Sequence, residues 1–262
     1  MNDPGNTPAP NDALAAASRL LLLVILLQTP LITWAACDDP PARRVNWLHC
    51  DKTGVDLQGA DLREAVLTQV NFRNANLNRA RLSGADLGQA TLSNADLTGA
   101  ELSNARLVSA HADQASFAGA SMNGARLDRA ILSGANLREA ELSDAQLARA
   151  DLSGADLTGA RLLRAALAQA NLTEARLAEA DLSGATLIRA VLEDAILTGA
   201  NLRGARLDGA VLLNADLTGA NLTQATLAEA RIHGARFTDA QLDSTIWINR
   251  QRCRPGSVTE CR

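Results

Sequence analysis

From Val55 to Ser244 the sequence keeps one five-residue register without a slip. Of its 38 pentapeptides, 36 begin with Ala, the exceptions being Val55 and Val70, and 32 carry Leu at the third position. The other third positions are Phe72, Ala112, Phe117, Met122, Ile232 and Phe237, so only Ala112 lacks a large apolar group. A period of five fits neither the 3.6 of an α-helix nor the 2.0 of a strand sustained over many residues. The chain must therefore turn once per pentapeptide. Fourteen of the 18 glycines stand at the fifth position, Gly59, Gly84 and Gly134 among them, where a corner can use their tolerance of positive φ. Four corners close a coil, and coils stacked ~4.8 Å apart would exchange backbone hydrogen bonds. The predicted fold is an all-β solenoid of about 9.5 coils, a rod roughly 45 Å long.

Composition agrees with that interior. The chain has three Phe, three Trp and no Tyr, yet 47% of its residues are hydrophobic. Aromatic rings supply much of an ordinary core, whereas a ladder of inward Leu and Ala needs none. The apolar share excludes disorder. A net charge of -4 leaves no basic excess for a phosphate backbone, so nucleic acid is not an expected ligand.

Twelve pentapeptides read Ala-Asp-Leu or Ala-Asn-Leu, including Ala60-Asp61-Leu62, Ala85-Asp86-Leu87, Ala150-Asp151-Leu152 and Ala220-Asn221-Leu222. In this the chain resembles the pentapeptide-repeat family across residues 55–244. The resemblance implies a right-handed quadrilateral parallel β-helix, with Leu and the preceding Ala inward and the other three positions facing solvent. Some members of that family imitate DNA and inhibit DNA gyrase, conferring quinolone resistance, and this stands as the alternative function. It requires a continuous acidic stripe. Here every twentieth residue gives Asp61, Arg81, Glu101, Ser121, Glu141, Arg161 and Asp181 in one column, and Asp156, Arg176, Ile196, Asp216 and Arg236 in another. Opposite charges stacked in this way are expected to pair with each other and so interrupt any phosphate-like track.

The two ends differ from the middle. Residues 1–36 contain the uninterrupted apolar run Leu20 to Leu27, followed by Pro30 and by Thr33 and Ala35, a pattern that reads as a hydrophobic helix of a secretory signal cut after Ala35. An uncleaved membrane anchor over Leu20 to Ala36 is the second reading. Trp34-Ala35-Ala36-Cys37 also resembles a lipobox, in which Cys37 would carry lipid. Residues 37–54 and 245–262 flank the repeats as expected caps, because an exposed coil edge invites end-to-end polymerisation. Trp47 and Trp247 are the residues expected to plug the two ends. All four cysteines lie in these flanks. Bridging requires Cα atoms within about 7 Å, so Cys37 is expected to pair with Cys50, and Cys253 with Cys261. Lipidation of Cys37 would leave Cys50 unpaired. Neither pair has the short spacing of a zinc site.

No catalytic motif appears. His49, His111 and His233 are the only histidines, and the repeat sets the last two about six coils apart. The chain therefore reads as a non-enzymatic scaffold for an unidentified protein partner, monomeric and without a cofactor or metal. The export signal and paired cysteines place it in the periplasm or elsewhere outside the cytoplasm, held at the inner membrane if the N-terminal segment is kept. Its expected working surface is the later half, where outward positions turn apolar at Leu163, Ile188, Val191, Ile196, Val211 and Leu213.

Overall fold

The structure, a computed structural model, describes residues 36–262. The predicted signal or anchor, with its hydrophobic helix, lies outside the described residues except for Ala36. Among the described residues no helix is long and apolar enough to cross a membrane.

Each pentapeptide is one side of a four-sided coil. Ala65 N–H donates to Leu62 O at 3.2 Å and closes a turn, while Glu64 at its corner has φ 58°. Positive φ at the second central residue marks a type II turn. All 38 corners from Gly59 to Ser244 adopt it. Glycine fills 14 of them and other residues, mostly Asn, Gln, Asp, Glu and Arg, fill 24, at φ between 53° and 61°. Glycine was the expected source of the corners, yet it accounts for fewer than half. A non-glycine residue there costs roughly 1–2 kcal/mol, but hydrogen bonds hold each corner from two directions. The corner's own N–H donates to the next coil, as from Glu64 to Ser83 O at 3.0 Å.

Stacking follows the predicted interval of twenty. Second-position residues pair in parallel from Asn46 with Val66 through Thr226 with Ile246. Each side contributes one bridged residue rather than a strand, because the next corner arrives before a second can pair. The backbone donors can be followed through one unit. Leu62 and Glu64 donate forward to Arg81 O and Ser83 O, Asp86 donates back to Ala65 O, and the first position closes its turn. Away from the two ends of the array, only the fourth-position N–H has no main-chain acceptor. Asp or Asn two residues earlier supplies one: Gly88 donates to Asp86, Thr98 to Asp96, Ser153 to Asp151 and Thr158 to Asp156, at 2.9–3.1 Å. The preference for Asp and Asn at the second position thus has a local cause, the closing of an Asx turn.

Inside, every first- and third-position side chain from Leu62 to Leu227 is at most 1% exposed. The irregular Ala112, Phe117 and Met122 are equally buried, and the ladder passes through them unchanged, with Ala112 N–H to Ile131 O at 2.7 Å. The bulk missing at Ala112 is offset by the larger Phe117 and Met122 on the next two sides of the same coil.

The segment 37–54, expected as a separate cap, is largely solenoid. Coil bonding already starts at Arg44, whose N–H reaches Arg63 O, and Val45 and Cys50 occupy first positions as Trp47 occupies a third. Without Ala and Leu these units escape the sequence pattern. Trp47 is 1% exposed and meets Phe72 edge-on at 6.4 Å. Lys52 Nζ lies 4.1 Å from the Trp47 ring centroid and donates to Cys37 O. At the other end residues 245–249, expected as part of the cap, add one more side to the parallel stack, and only residues 250–262 reverse direction. Gln241 pairs antiparallel with Val258, and Ile246 with Arg252. Trp247 packs edge-on to Phe237 at 5.2 Å.

Candidate interaction surfaces

Four longitudinal faces present the outward positions. Face I passes through residues 65–69, 85–89 and so on by twenties; face II through 70–74, face III through 75–79 and face IV through 80–84. The six apolar residues expected to form one working surface are spread over all four. Ile188 is on face I, Val191, Val211 and Leu213 on face II, Ile196 on face III and Leu163 on face IV. Only the face II trio is brought together, with Val191 bridged to Val211. Ile196 is 38% exposed and the other five are half-buried, their stems covered by neighbours in the stack.

The structure joins the cysteines as the sequence suggested. Cys37 is bonded to Cys50 with Cα atoms 5.5 Å apart, and Cys253 to Cys261 at 4.8 Å.

The charge ladders form in part. Arg81 sits between Asp61 at 3.7 Å and Glu101 at 3.5 Å, Arg161 meets Glu141 at 3.4 Å, and Arg236 meets Asp216 at 2.5 Å. Asp156 pairs instead with Arg138 of the preceding coil at 3.2 Å, not with Arg176 as its column implied. These exposed pairs contribute little individually. Arg63 donates to both oxygens of Asp61 and holds its carboxyl down at about 2. At Asp156 and Asp216, burial pushes the carboxyl up, but bonds from the hydroxyl and amide of Thr158 and Thr218, with Arg138 and Arg236, leave both below the usual range. A depressed folded pKa gives stability that is present above the unfolded value near 3.9 and lost as pH falls through the folded one. Denaturant midpoints should therefore drop between pH 7 and about pH 3. The Asp156→Asn, Asp216→Asn double variant keeps both Asx bonds. It should stay within about 1 kcal/mol at neutral pH while losing part of the acid sensitivity. An unchanged pH profile would reject this account.

Charge is divided unequally among the faces. Within residues 55–244, face II carries two arginines against five acids, face III four against seven and face IV five against seven. Face I has the reverse balance, six arginines against four acids. At its middle lies a shallow trough of ≈ 570 Å³, floored by Ala148 and Ala168 and rimmed by Arg126, Arg129 and Arg149. All three arginines are exposed, and none has an ion pair among the described residues; Arg149 Nε donates to Gln169 at 2.8 Å. Asp128 is the one carboxylate in the trough. Sequence reading missed this surface because the two columns it followed lie on faces III and IV; the arginines come from the second- and fifth-position columns of face I, on either side of the alanine floor.

The three histidines are exposed on separate coils. Among the described residues no group of three or more His, Cys, Asp or Glu could hold a metal ion.

The family model for pentapeptide repeats matches eight copies between residues 53 and 246. The chain belongs to the pentapeptide-repeat family. Among solved structures, this pentapeptide-repeat protein is similar to HetL of the cyanobacterium Nostoc sp. strain PCC 7120, a member of the family involved in heterocyst differentiation regulation. The two are 36% identical with a TM-score of 0.70, over 80% of this chain and 92% of HetL. A pentapeptide-repeat protein from the Arabidopsis thaliana thylakoid lumen is 33% identical over 36% of this chain and 63% of its own, with a TM-score of 0.22. A plasmid-mediated fluoroquinolone resistance protein is 19% identical over 74% of this chain and 91% of its own, with a TM-score of 0.40. No curated protein matches the chain.

Proposed function

We propose that this pentapeptide-repeat protein is a non-enzymatic scaffold for protein–protein interaction that works outside the cytoplasm. The observation that carries the compartment is the cysteine pattern. All four cysteines lie outside the Ala/Leu array and are joined in two short-range disulfides, one at each end of the rod. Such bonds persist in oxidising compartments and are rare in the cytosol. The apolar run within residues 1–36 supports the same reading as the element that exports or anchors the chain. The scaffold role is supported by a core filled with Leu and Ala, by polar groups dispersed along four faces, and by likeness to HetL, whose described involvement is in regulation. The gyrase-inhibitor alternative lacks a continuous acidic track, since arginines interrupt the columns and face I is basic on balance.

Cell fractionation combined with thiol labelling and non-reducing peptide mapping tests the proposal. The protein is expected in the extracytoplasmic or membrane fraction with both disulfides closed, and beginning at Ala36 if the segment is cleaved. Four free thiols in a cytosolic fraction would overturn it.

A further inference from the structure

We infer that the trough on face I binds an extended, acidic protein segment. The inference rests on the scaffold reading and names the chemistry of its partner. Like charges stand close along this face: Arg129 and Arg149 occupy the same corner column in successive coils, about 4.8 Å apart by the stacking distance, and Arg189 extends the column two coils further. Arg126 enters from the second-position column, on the other side of the trough floor. Within the rod these side chains find no carboxylate partner, although the chain as a whole is acidic. Asp128 offsets only part of that charge.

The shape points to a main chain rather than a bulky group. The fourth-position column of face I reads Val108, Asp128, Ala148, Ala168 and Ile188. Two alanines in succession make a low floor between larger residues, and the guanidinium groups stand around it. An extended segment presents side chains on one edge every 6.6–6.8 Å or so, within reach of flexible arginine stems. Its carboxylates would meet planar donors suited to them.

A nucleic acid fits less well. Faces II and IV, on either side of the trough, both carry an excess of acids that a wide polyanion would meet. Single strands are commonly held on aromatic platforms, and face I carries no aromatic residue between Ala65 and Glu229. The acidic faces of a second copy are a further possible occupant, which the test below distinguishes.

The test uses fluorescence anisotropy with the full, oxidised protein and a short labelled peptide bearing Glu at alternate positions among Ser and Thr. The Gln counterpart and oligothymidylate are run beside it. Binding of the Glu peptide is expected to weaken with salt, and to fall roughly tenfold or more in Arg129→Glu, Arg149→Glu. The face III variant Arg79→Glu, Arg176→Glu should change it less than about twofold. Circular-dichroism melts check that each variant folds, and Arg129→Gln, Arg149→Gln provides a milder second variant with an intermediate loss. Equal binding of the Gln peptide, equal losses from the two faces, preferential binding of oligothymidylate, or self-association that consumes the same arginines each overturns the inference. Absence of peptide binding also overturns it, and does so without touching the scaffold proposal, whose compartment and cysteine tests involve no peptide.

Discussion

Leu157→Asp is expected to abolish the folded rod, whereas Leu163→Asp should change its stability by no more than about 1 kcal/mol. The substitution is the same at both sites, and only the direction of the side chain differs. Leu157 is a third-position residue with no exposure, stacked between Leu137 and Leu177, and its N–H is fixed to Arg176 O at 2.7 Å. A carboxylate there has no donor within the Leu and Ala ladder, and burying it unpaired costs several kcal/mol. That is comparable with the whole stability of a typical domain, about 5–15 kcal/mol. A solenoid also fails locally, because each coil is held only by its neighbours. Leu163 occupies a fourth position on face IV, half-buried, between Arg161 and Arg164. A carboxylate at that site stays hydrated and sits among cations. Chemical denaturation of the two variants settles the matter, and equal stability would contradict the inward and outward assignment.

That assignment was legible in the sequence because one period imposes one environment on every residue of a class. The twenty-residue bridging, the burial of Phe117 and Met122 and the pairing of the cysteines all follow from register and distance. Other features were hidden for the same reason. Corners such as Glu64 and Arg149 carry no sign of positive φ, since what holds them is the ladder formed by the next coil. The units at Val45 and Cys50 were not read as coil because their side chains depart from the Ala/Leu pattern, although backbone bonding does not depend on it. The apolar group of Leu163, Ile188, Val191, Ile196, Val211 and Leu213 was read as the working surface of the later half, and only its Val191, Val211 and Leu213 members, which the register already stacked, share a face. Closeness in a square coil depends on residue number modulo twenty, so Ile188 and Val191 stand on different faces while Val191 and Val211 touch. The arginine trough was missed because the two columns followed lie on faces III and IV, while its members are spread over the sequence and gathered on face I by the same modulus.

Opening the C-terminal disulfide by Cys253→Ser should loosen the end of the rod and make it associate, while the middle stays intact. The bond closes a loop of nine residues, whose constraint on the unfolded cap is worth about 2–3 kcal/mol. The cap itself is small. It pairs antiparallel with the last coil, through Leu242 N–H to Ser257 O at 2.8 Å, Trp247 N–H to Gln251 O at 2.7 Å and Cys253 N–H to Thr245 O at 2.8 Å. Reversal of direction ends the parallel stack and covers two of the four sides of the terminal coil. The other two, bearing Ile232 and Phe237, have no main-chain partner for those two N–H groups. Once the cap detaches, all four sides present free donors beside apolar Leu242, Ile246 and Trp247, the kind of edge that pairs with another chain. Hydrogen exchange should then show lost protection from Thr245 to Arg262 with little change between residues 100 and 200. Light scattering should rise with protein concentration, and adding reductant to the unaltered protein should reproduce both effects. Unchanged C-terminal protection in the variant would mean that the antiparallel pairing and the Trp247 contact hold the cap without the disulfide. In that case the bond would report the compartment in which the chain matures rather than maintain its end.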